Sequence, residues 1–457
     1  MYEYGIINYN VCLYAFNPEF VRRIALFFGG SVRKFFSFRL FLLCTFIVFS
    51  LLSFSSCTQS IFRPAAETAD RAMTEGISDT LDTPSDTDVF VPQVTDETSA
   101  QETTETLPPE PEIRSASFVG VGDIIIYYGN VRDAKSQGVP GGRTYNFAPL
   151  FKNVSERISS ADIAFVNQET LMCGEGYEFS YYPHFNGPQD LGYDIKETGF
   201  DVVNIANNHM LDKGENGLLA TIDFWNSLEG ITLIGGYKDQ TDYDTLRIIE
   251  RNGVRIAFLS YTFFTNYLSL PDGSETVIPY FDDETAMTQL SRARELADFV
   301  IVSVHWDAEN TFTPTQIERD FSRLLADNGA DAIIGHHPHV IQPVEWIDRA
   351  DGGRTLCVYS LGNFAAEQAK DYNMLGGMIS FDMVLTDGVP AIENVVFIPT
   401  VYYFDTSFYQ NQVYYLSDFT EEMANSHGIS YYGNSLSLDT LKKYLSATID
   451  PQFLREP

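Results

Sequence analysis

Basic residues are scarce in this chain of 457 residues: 29 lysines and arginines stand against 62 aspartates and glutamates, a net charge of −33. That balance gives no basic footprint for a nucleic-acid backbone, which excludes nucleic acid as a non-specific partner. An anionic substrate would need a local positive centre, and a bound metal supplies one. Cysteine is also scarce, five in all. Cys12, Cys44 and Cys57 precede the expected globular region, which leaves Cys173 and Cys357. Two cysteines make neither a disulfide scaffold nor a cysteine-rich zinc site. Whether those two pair stays open. There is no internal repeat. Histidine occurs only seven times, yet three of these fall in one pentapeptide, Gly335-His336-His337-Pro338-His339.

One long apolar run is present, at 40–54, preceded by Arg33, Lys34 and Arg39 and followed by Ser55-Ser56-Cys57. Positive flank, apolar run and small residues read as an export signal. Phe54-Ser55-Ser56-Cys57 resembles a bacterial lipobox, which makes Cys57 the expected lipidation site. The alternative is an uncleaved anchor, because 35–54 is about long enough to span a bilayer. Either reading leaves the rest of the chain tethered to the membrane, outside the cytoplasm. The late signal places the expected true start near Val32. Residues 58–114 are rich in Thr, Ser, Pro, Asp and Glu, cannot bury a core and are expected to be a disordered spacer. The expected organisation is therefore an anchor segment at 1–57, a linker at 58–114, a globular domain at 115–405 and a C-terminal extension at 406–457 packed on it.

Beyond residue 115, strands are expected at 117–123, 161–166, 200–205, 231–234, 255–261, 299–304, 331–334 and 355–359. Helices are expected at 190–198, 217–228, 284–296 and 314–328. This alternation predicts an α/β domain with a central sheet. The runs 378–385 and 392–400 read as an antiparallel pair, so the sheet is expected to be mixed. A closing helix is expected at 436–445.

Polar residues gather where these strands end. Asp123 ends the first. Asn167 and Glu169 follow the second; Asn207, Asn208 and His209 follow the third. His305 ends 299–304, the histidine pentapeptide follows 331–334, and Asn363 follows 355–359. Ligands of α/β sheets bind at the carboxyl ends of strands, and neutral imidazole is a common metal ligand. His337 and His339, two apart across a proline, can face one point. Taken singly, each residue has an ordinary role: Asp123 as a helix cap, Asn207 and Asn208 in a turn, His305 in packing beside Trp306. Their shared position at strand ends predicts a metal centre. Carboxylates, imidazoles and an amide oxygen form mixed shells that suit Mn, Fe or Zn better than Ca. The set suffices for two ions with one bridging carboxylate. Such ions, about 3.5–4 Å apart, clamp both oxygens of an in-line phosphoryl displacement. His209 is then placed to protonate the leaving group. Aromatics near these motifs, Tyr181, Tyr182, Trp306 and Phe364, are expected mostly in the core.

Four motifs carry a resemblance: Asn207-Asn-His-Met-Leu-Asp-Lys-Gly214, Ser303-Val-His-Trp306, Gly335-His-His-Pro-His-Val340 and Tyr359-Ser-Leu-Gly-Asn-Phe364. Together with Gly122-Asp123 and Asn167-Gln-Glu169, they resemble the CapA family, proteins linked to poly-γ-glutamate capsule synthesis with a calcineurin-like metallophosphoesterase fold. The resemblance runs from Phe118 to Phe364, motifs in order. It implies an αββα sandwich of two facing mixed sheets. It implies Asp123 as first metal ligand, Glu169 as bridging carboxylate, Asn208 as amide ligand and His209 as general acid. His305, His337 and His339 complete the shells. His336 is the alternative to His337, and the two-apart spacing favours His337. Asn167 and Glu309 are additional candidates, Asp212 stands with His209 as a catalytic candidate, and Glu309 and Asp212 could also be partners that orient the histidines. The chain departs from the family at Asp307, where glycine is usual, and at Gly235-Gly236-Tyr237. Ile125 stands where many metallophosphoesterases carry a histidine, which removes one ligand.

Two functions follow as expectations. The first is a tethered extracytoplasmic metallohydrolase acting on a phosphoester or related bond in a capsule or envelope polymer. The second is a non-catalytic assembly or export factor that binds an anionic polymer, such as poly-γ-glutamate, through the metal site. Capsule synthesis and export proteins are the expected partners in either case.

Overall fold

The structure is a computed structural model that describes residues 110–138 and 142–455. The expected export signal, Cys57 and nearly all of the acidic spacer lie outside the described residues. Among the described residues no helix is long and apolar enough to cross a membrane.

The strands of the first half are β1 (Ile113–Ile125), β2 (Ile163–Gln168), β3 (Val202–Asn204), β4 (Thr232–Ile234), β5 (Arg247–Arg251), β6 (Val254–Thr262) and β7 (Phe299–His305). Those of the second half are β8 (Ala332–His336), β9 (Val344–Asp348), β10 (Arg354–Val358), β11 (Asn363–Ala366), β12 (Leu375–Thr386), β13 (Val389–Tyr403) and β14 (Gln412–Tyr415). They form two mixed sheets. One runs β14-β13-β12-β1-β2-β3-β4 with β11 also beside β1; the other runs β5-β6-β7-β8-β10-β9. β1 to β4 are parallel, and β12, β13 and β14 extend the sheet antiparallel. β12 and β13 are the antiparallel pair expected from sequence. β1 begins at Ile113, inside the segment expected as linker.

Side-chain alternation explains the layering. In the second sheet Ile256, Phe258, Ile301, Ile334, Leu356 and Val358 join the large core that holds Phe118, Phe165 and Val203 of the first sheet. Their neighbours Ala257, Leu259, Val300, Val302, Ile333 and Cys357 point the other way. There they meet Leu290 and Ala293 of the helix Asp283–Leu296 and Leu325 of the helix Gln316–Asp327. The two sheets therefore face each other with helices outside, the αββα sandwich that the resemblance implied. The helices Asp190–Thr198 and Gly214–Asn226 add Leu191, Ile195, Leu218 and Ile222 to the core on the first sheet's side. Beyond residue 406, β14 pairs with β13, and Leu454 bridges Phe397.

Two hairpins turn on Asn252-Gly253 and Asp387-Gly388, each with positive φ at both positions, as a two-residue type I′ turn requires. Register then sets the site. Asp123 lies opposite both Asn167 and Asn363, and Asn167 opposite Asn204. In the other sheet Thr262, His305 and His336 line up across β6, β7 and β8. The carboxyl ends of both parallel sets thus present polar side chains at one level.

Candidate metal centre

Asp123 is the hub, and it is fully buried. Its Oδ2 lies 3.1 Å from His339 Nδ1, and its Oδ1 lies 3.0 Å from His336 Nδ1. The Asn167 amide donates from one nitrogen to Asp123 Oδ1 at 2.9 Å and to Glu169 Oε1 at 3.2 Å. Asn167 is fixed in turn by Asn204, whose Nδ2 donates to Asn167 Oδ1 at 2.8 Å, and Ser260 of the opposite sheet donates to Asn204 Oδ1. The carboxylate pair is therefore held by an amide chain that crosses from one sheet to the other.

The pentapeptide breaks from β8 with a left-handed backbone at two non-glycine residues, His337 (φ 92°) and His339 (φ 55°). Such conformations cost about 1–3 kcal/mol each and persist where surrounding structure enforces them. Here Gly335 allows a close approach. A Cβ on it would lie 1.9 Å from Tyr359 O and 2.3 Å from Trp306 Nε1, on top of the 2.8 Å hydrogen bond that Trp306 donates to Tyr359 O. The strained loop carries the His337 ring to 4.7 Å from His305 and 5.5 Å from His339, between ring centroids.

The candidate ligand atoms fall into two groups that share His339: Asp123, Glu169 and His339; and Glu309, His337 and His339, each within 4.8 Å of one another. Glu309, expected as an orienting partner, thus stands among the candidate ligands, its half-exposed carboxylate 4.0 Å from His337 Nε2. Asn373 pins its loop by donating to both Asn310 Oδ1 and His339 O at 3.0 Å. His305 Nε2 lies 3.0 Å from Asn208 Oδ1, and the His305 ring lies beside His337 of the second group. His336 is in neither group; it braces Asp123 and stacks on Phe165.

His209 sits beside Asn208, with its Nδ1 2.8 Å from Asp212 Oδ2. Asp212 also accepts the Phe185 N–H at 2.6 Å. The expected orienting role of Asp212 is therefore directed at His209 and not at a ligand histidine. Phe185 packs edge-on against the His209 ring, centroids 4.8 Å apart.

Charge distribution fits a cation. Burial favours a neutral Asp123, but hydrogen bonds and charge from His336 and His339 outweigh it and hold the carboxyl well below the usual range. Burial and the charge of Asp123 push Glu169 well above its ordinary value; two carboxylates on one amide do not both ionise readily without a cation between them. Burial, reinforced by neighbouring imidazoles, pushes His305 and His337 well down, into the neutral form that ligates metal. Burial also acts to lower His339, but its hydrogen bond to Asp123 and the charges of Glu169, Asp123 and Glu309 raise it to about 9. Glu169 Oε2, His305 Nδ1, His336 Nε2 and His337 Nδ1 are buried without a hydrogen-bond partner in the protein. A buried polar atom left so costs about 1–3 kcal/mol. The mixed oxygen and nitrogen donors suit Mn, Fe or Zn.

Sequence reading missed Asn204, Asn266 and Asn373. Asn204 ends β3, one residue short of the expected strand end at 205, and Asn266 lies in a loop with no local signal. Trp306 and Phe364 are core residues, whereas Tyr182 is exposed. Cys173 and Cys357 are free, buried thiols, pushed by burial up to about 11 and about 12.

Two mixed sheets in a sandwich, with carboxylates and histidines converging at their strand ends, define an α/β sandwich protein with a candidate metal centre. Residues 117–368 match the family described as bacterial capsule synthesis protein PGA_cap. The match covers more than half of the chain, and the chain belongs to that family. It is similar to the PGA biosynthesis protein CapA of Bacillus subtilis (strain 168), 34% identical over 38% of this chain and 44% of that protein. It is also similar to the capsule biosynthesis protein CapA of Bacillus anthracis, 30% identical over 47% of this chain and 51% of that protein. The chain thus spans about half the length of the curated relatives it matches. Among solved structures it resembles the calcineurin-like phosphoesterase YfkN of Bacillus subtilis (TM-score 0.35, 13% identity, 72% of this chain and 100% of that one). It also resembles a phosphatase from Mycoplasma pneumoniae (TM-score 0.39, 14% identity, 64% of this chain and 95% of that one).

Proposed function

We propose that this chain is a membrane-tethered, extracytoplasmic hydrolase that uses divalent metal to cleave a phosphoester or related bond during synthesis of a capsule polymer such as poly-γ-glutamate, or of another envelope polymer. The observation that carries the reading is the His209–Asp212 pair set directly beside Asn208. A site that only held an anion would need the ligands but not an oriented acid next to them.

Asp123, Glu169 and His339 would hold one ion; Glu309 and His337, with Asn208 and His305, would hold the other. When bound, the ions supply Lewis acidity at a phosphoryl oxygen. Asp212 accepts the Nδ1 proton of His209, which fixes the ring's orientation and leaves Nε2 facing away from Asp212. His209 Nε2 is thereby the proton donor, and it delivers that proton to the departing oxygen. Phe185 packs edge-on against the ring and holds it from the side. The amide chain from Ser260 through Asn204 to Asn167 keeps Asp123 and Glu169 together. Arg33, Lys34 and Arg39, the apolar run and Cys57 support the tether.

Purified full-length chain, stripped with chelator and reloaded with Mn, is assayed on an alkyl phosphodiester, whose leaving group needs a proton. Turnover that needs metal and falls in His209→Ala while metal stays bound supports hydrolysis. Bound metal without turnover across a phosphoester panel favours the other role, non-catalytic binding of an anionic polymer.

A further inference from the structure

Asn208 matters to the centre only through its oxygen, because an amide nitrogen carries donors and no lone pair for a cation. Which end of the amide faces the site is therefore a functional question. Asn208 Oδ1 lies 3.0 Å from His305 Nε2, on the ligand side. The nitrogen end is taken by a residue from another loop: Asn208 Nδ2 donates to Asn266 Oδ1 at 3.2 Å. Asn266 Nδ2 in turn lies 3.4 Å from His209 Nδ1. One side chain thus abuts both the amide ligand and the acid.

The backbone is bent to deliver it. Asn266 (φ 48°) and Tyr267 (φ 62°) are consecutive left-handed residues. Asparagine tolerates that region, whereas a bulky residue there is an outlier. The turn is closed by Leu268 N–H to Thr265 O at 2.8 Å and by Thr265 Oγ1 to Leu268 O at 2.7 Å. Strain of this kind marks a position that the surrounding structure enforces.

We propose that Asn266 is a positioning residue of the metal centre: by accepting from Asn208 Nδ2, it fixes Asn208 with its oxygen toward the cation. The proposal rests on the reading of Asn208 as a ligand. The test is Mn binding to the full chain by calorimetry, with the unfolding midpoint measured alongside. Asn266→Gly suits the left-handed backbone and removes only the amide; its Mn affinity is expected to fall about 10–100-fold, the usual effect of losing a partner that orients a ligand. Asn266→Asp keeps an acceptor oxygen in place and is expected to bind at least as tightly as the unaltered chain. Asn208→Ala is the control for the underlying reading. If Asn208→Ala weakens binding but Asn266→Gly does not, the proposal is overturned and the ligand reading stands. If Asn266→Asp binds as weakly as Asn266→Gly, acceptance of the amide proton is not its role, and the proposal is again overturned. If Asn208→Ala binds normally, the ligand reading fails and takes the proposal with it.

Discussion

His339 Nδ1 lies 3.1 Å from Asp123 Oδ2, both groups buried, so an imidazolium and a carboxylate pair where a metal would sit between donor atoms. The His339 pKa is raised from 6.5 to about 9 by that contact and by nearby carboxylates, against the opposing effect of burial. A raised histidine contributes stability that is fully present below its unfolded value and lost as pH rises through the folded one. Without metal, that contribution should therefore fade between about pH 6.5 and about pH 9.

Metal must displace the same proton. Binding of Mn should release at least one proton, and apparent affinity should rise about tenfold per pH unit below the His339 value. Calorimetry in buffers of different ionisation enthalpy measures this directly. Affinity independent of pH from about 7 to about 8.5 would show that His339 carries no proton to displace.

Removing the acid should cost most where the leaving group needs it. Loss of a general acid typically costs about 10²–10⁴-fold in rate. His209→Ala should show that loss on an alkyl phosphodiester and little loss on a nitrophenyl ester, whose leaving group departs without help. Asp212→Asn should follow the same pattern more weakly. Equal losses on both esters would remove His209 from the acid role.

Asn167 joins two carboxylates that otherwise repel. Asn167→Ala leaves Asp123 Oδ1 and Glu169 Oε1 without their shared donor and Asn204 Nδ2 with only the longer bond to Ala206 O. Metal affinity should fall about 10–100-fold, and urea unfolding should show a loss of about 1–3 kcal/mol for the stranded buried groups. An unchanged affinity would make the amide chain purely structural.

Gly335 tests the strained loop. In Gly335→Ala, the new Cβ would strike Tyr359 O and Trp306 Nε1. Overpacking and a broken buried hydrogen bond together should cost about 3 kcal/mol or more in urea unfolding. An unchanged midpoint would mean the loop and β10 can separate at little cost.

The parts of this protein that were legible in the sequence are those with local signals. Asp123, His305, His337 and His339 were readable because each ends an apolar run, and strand ends converge by the logic of the sheet. The helices at 190–198 and 284–296 were readable from their apolar spacing. β5, Arg-Ile-Ile-Glu-Arg, escaped because charge brackets its short apolar centre, although the Asn252-Gly253 turn after it was a usable hairpin signal. Glu309 was seen as a partner of the histidines, but its nearness to His337 depends on a loop pinned by Asn373 from 64 residues away. Asn204 links Asn167 of the neighbouring strand to Ser260 of the other sheet, and Asn266 acts between loops; no spacing along the chain encodes those partners.

Hydrolysis of the proposed kind calls for two ions, one in each ligand group. The most direct measurement is metal content per chain by elemental mass spectrometry after Mn loading and dialysis, for the unaltered chain, His337→Ala and Asp123→Asn. The account predicts about two ions per chain in the first and about one in each variant, since each breaks one group. No retained metal in the unaltered chain, or the same content in all three proteins, would contradict it.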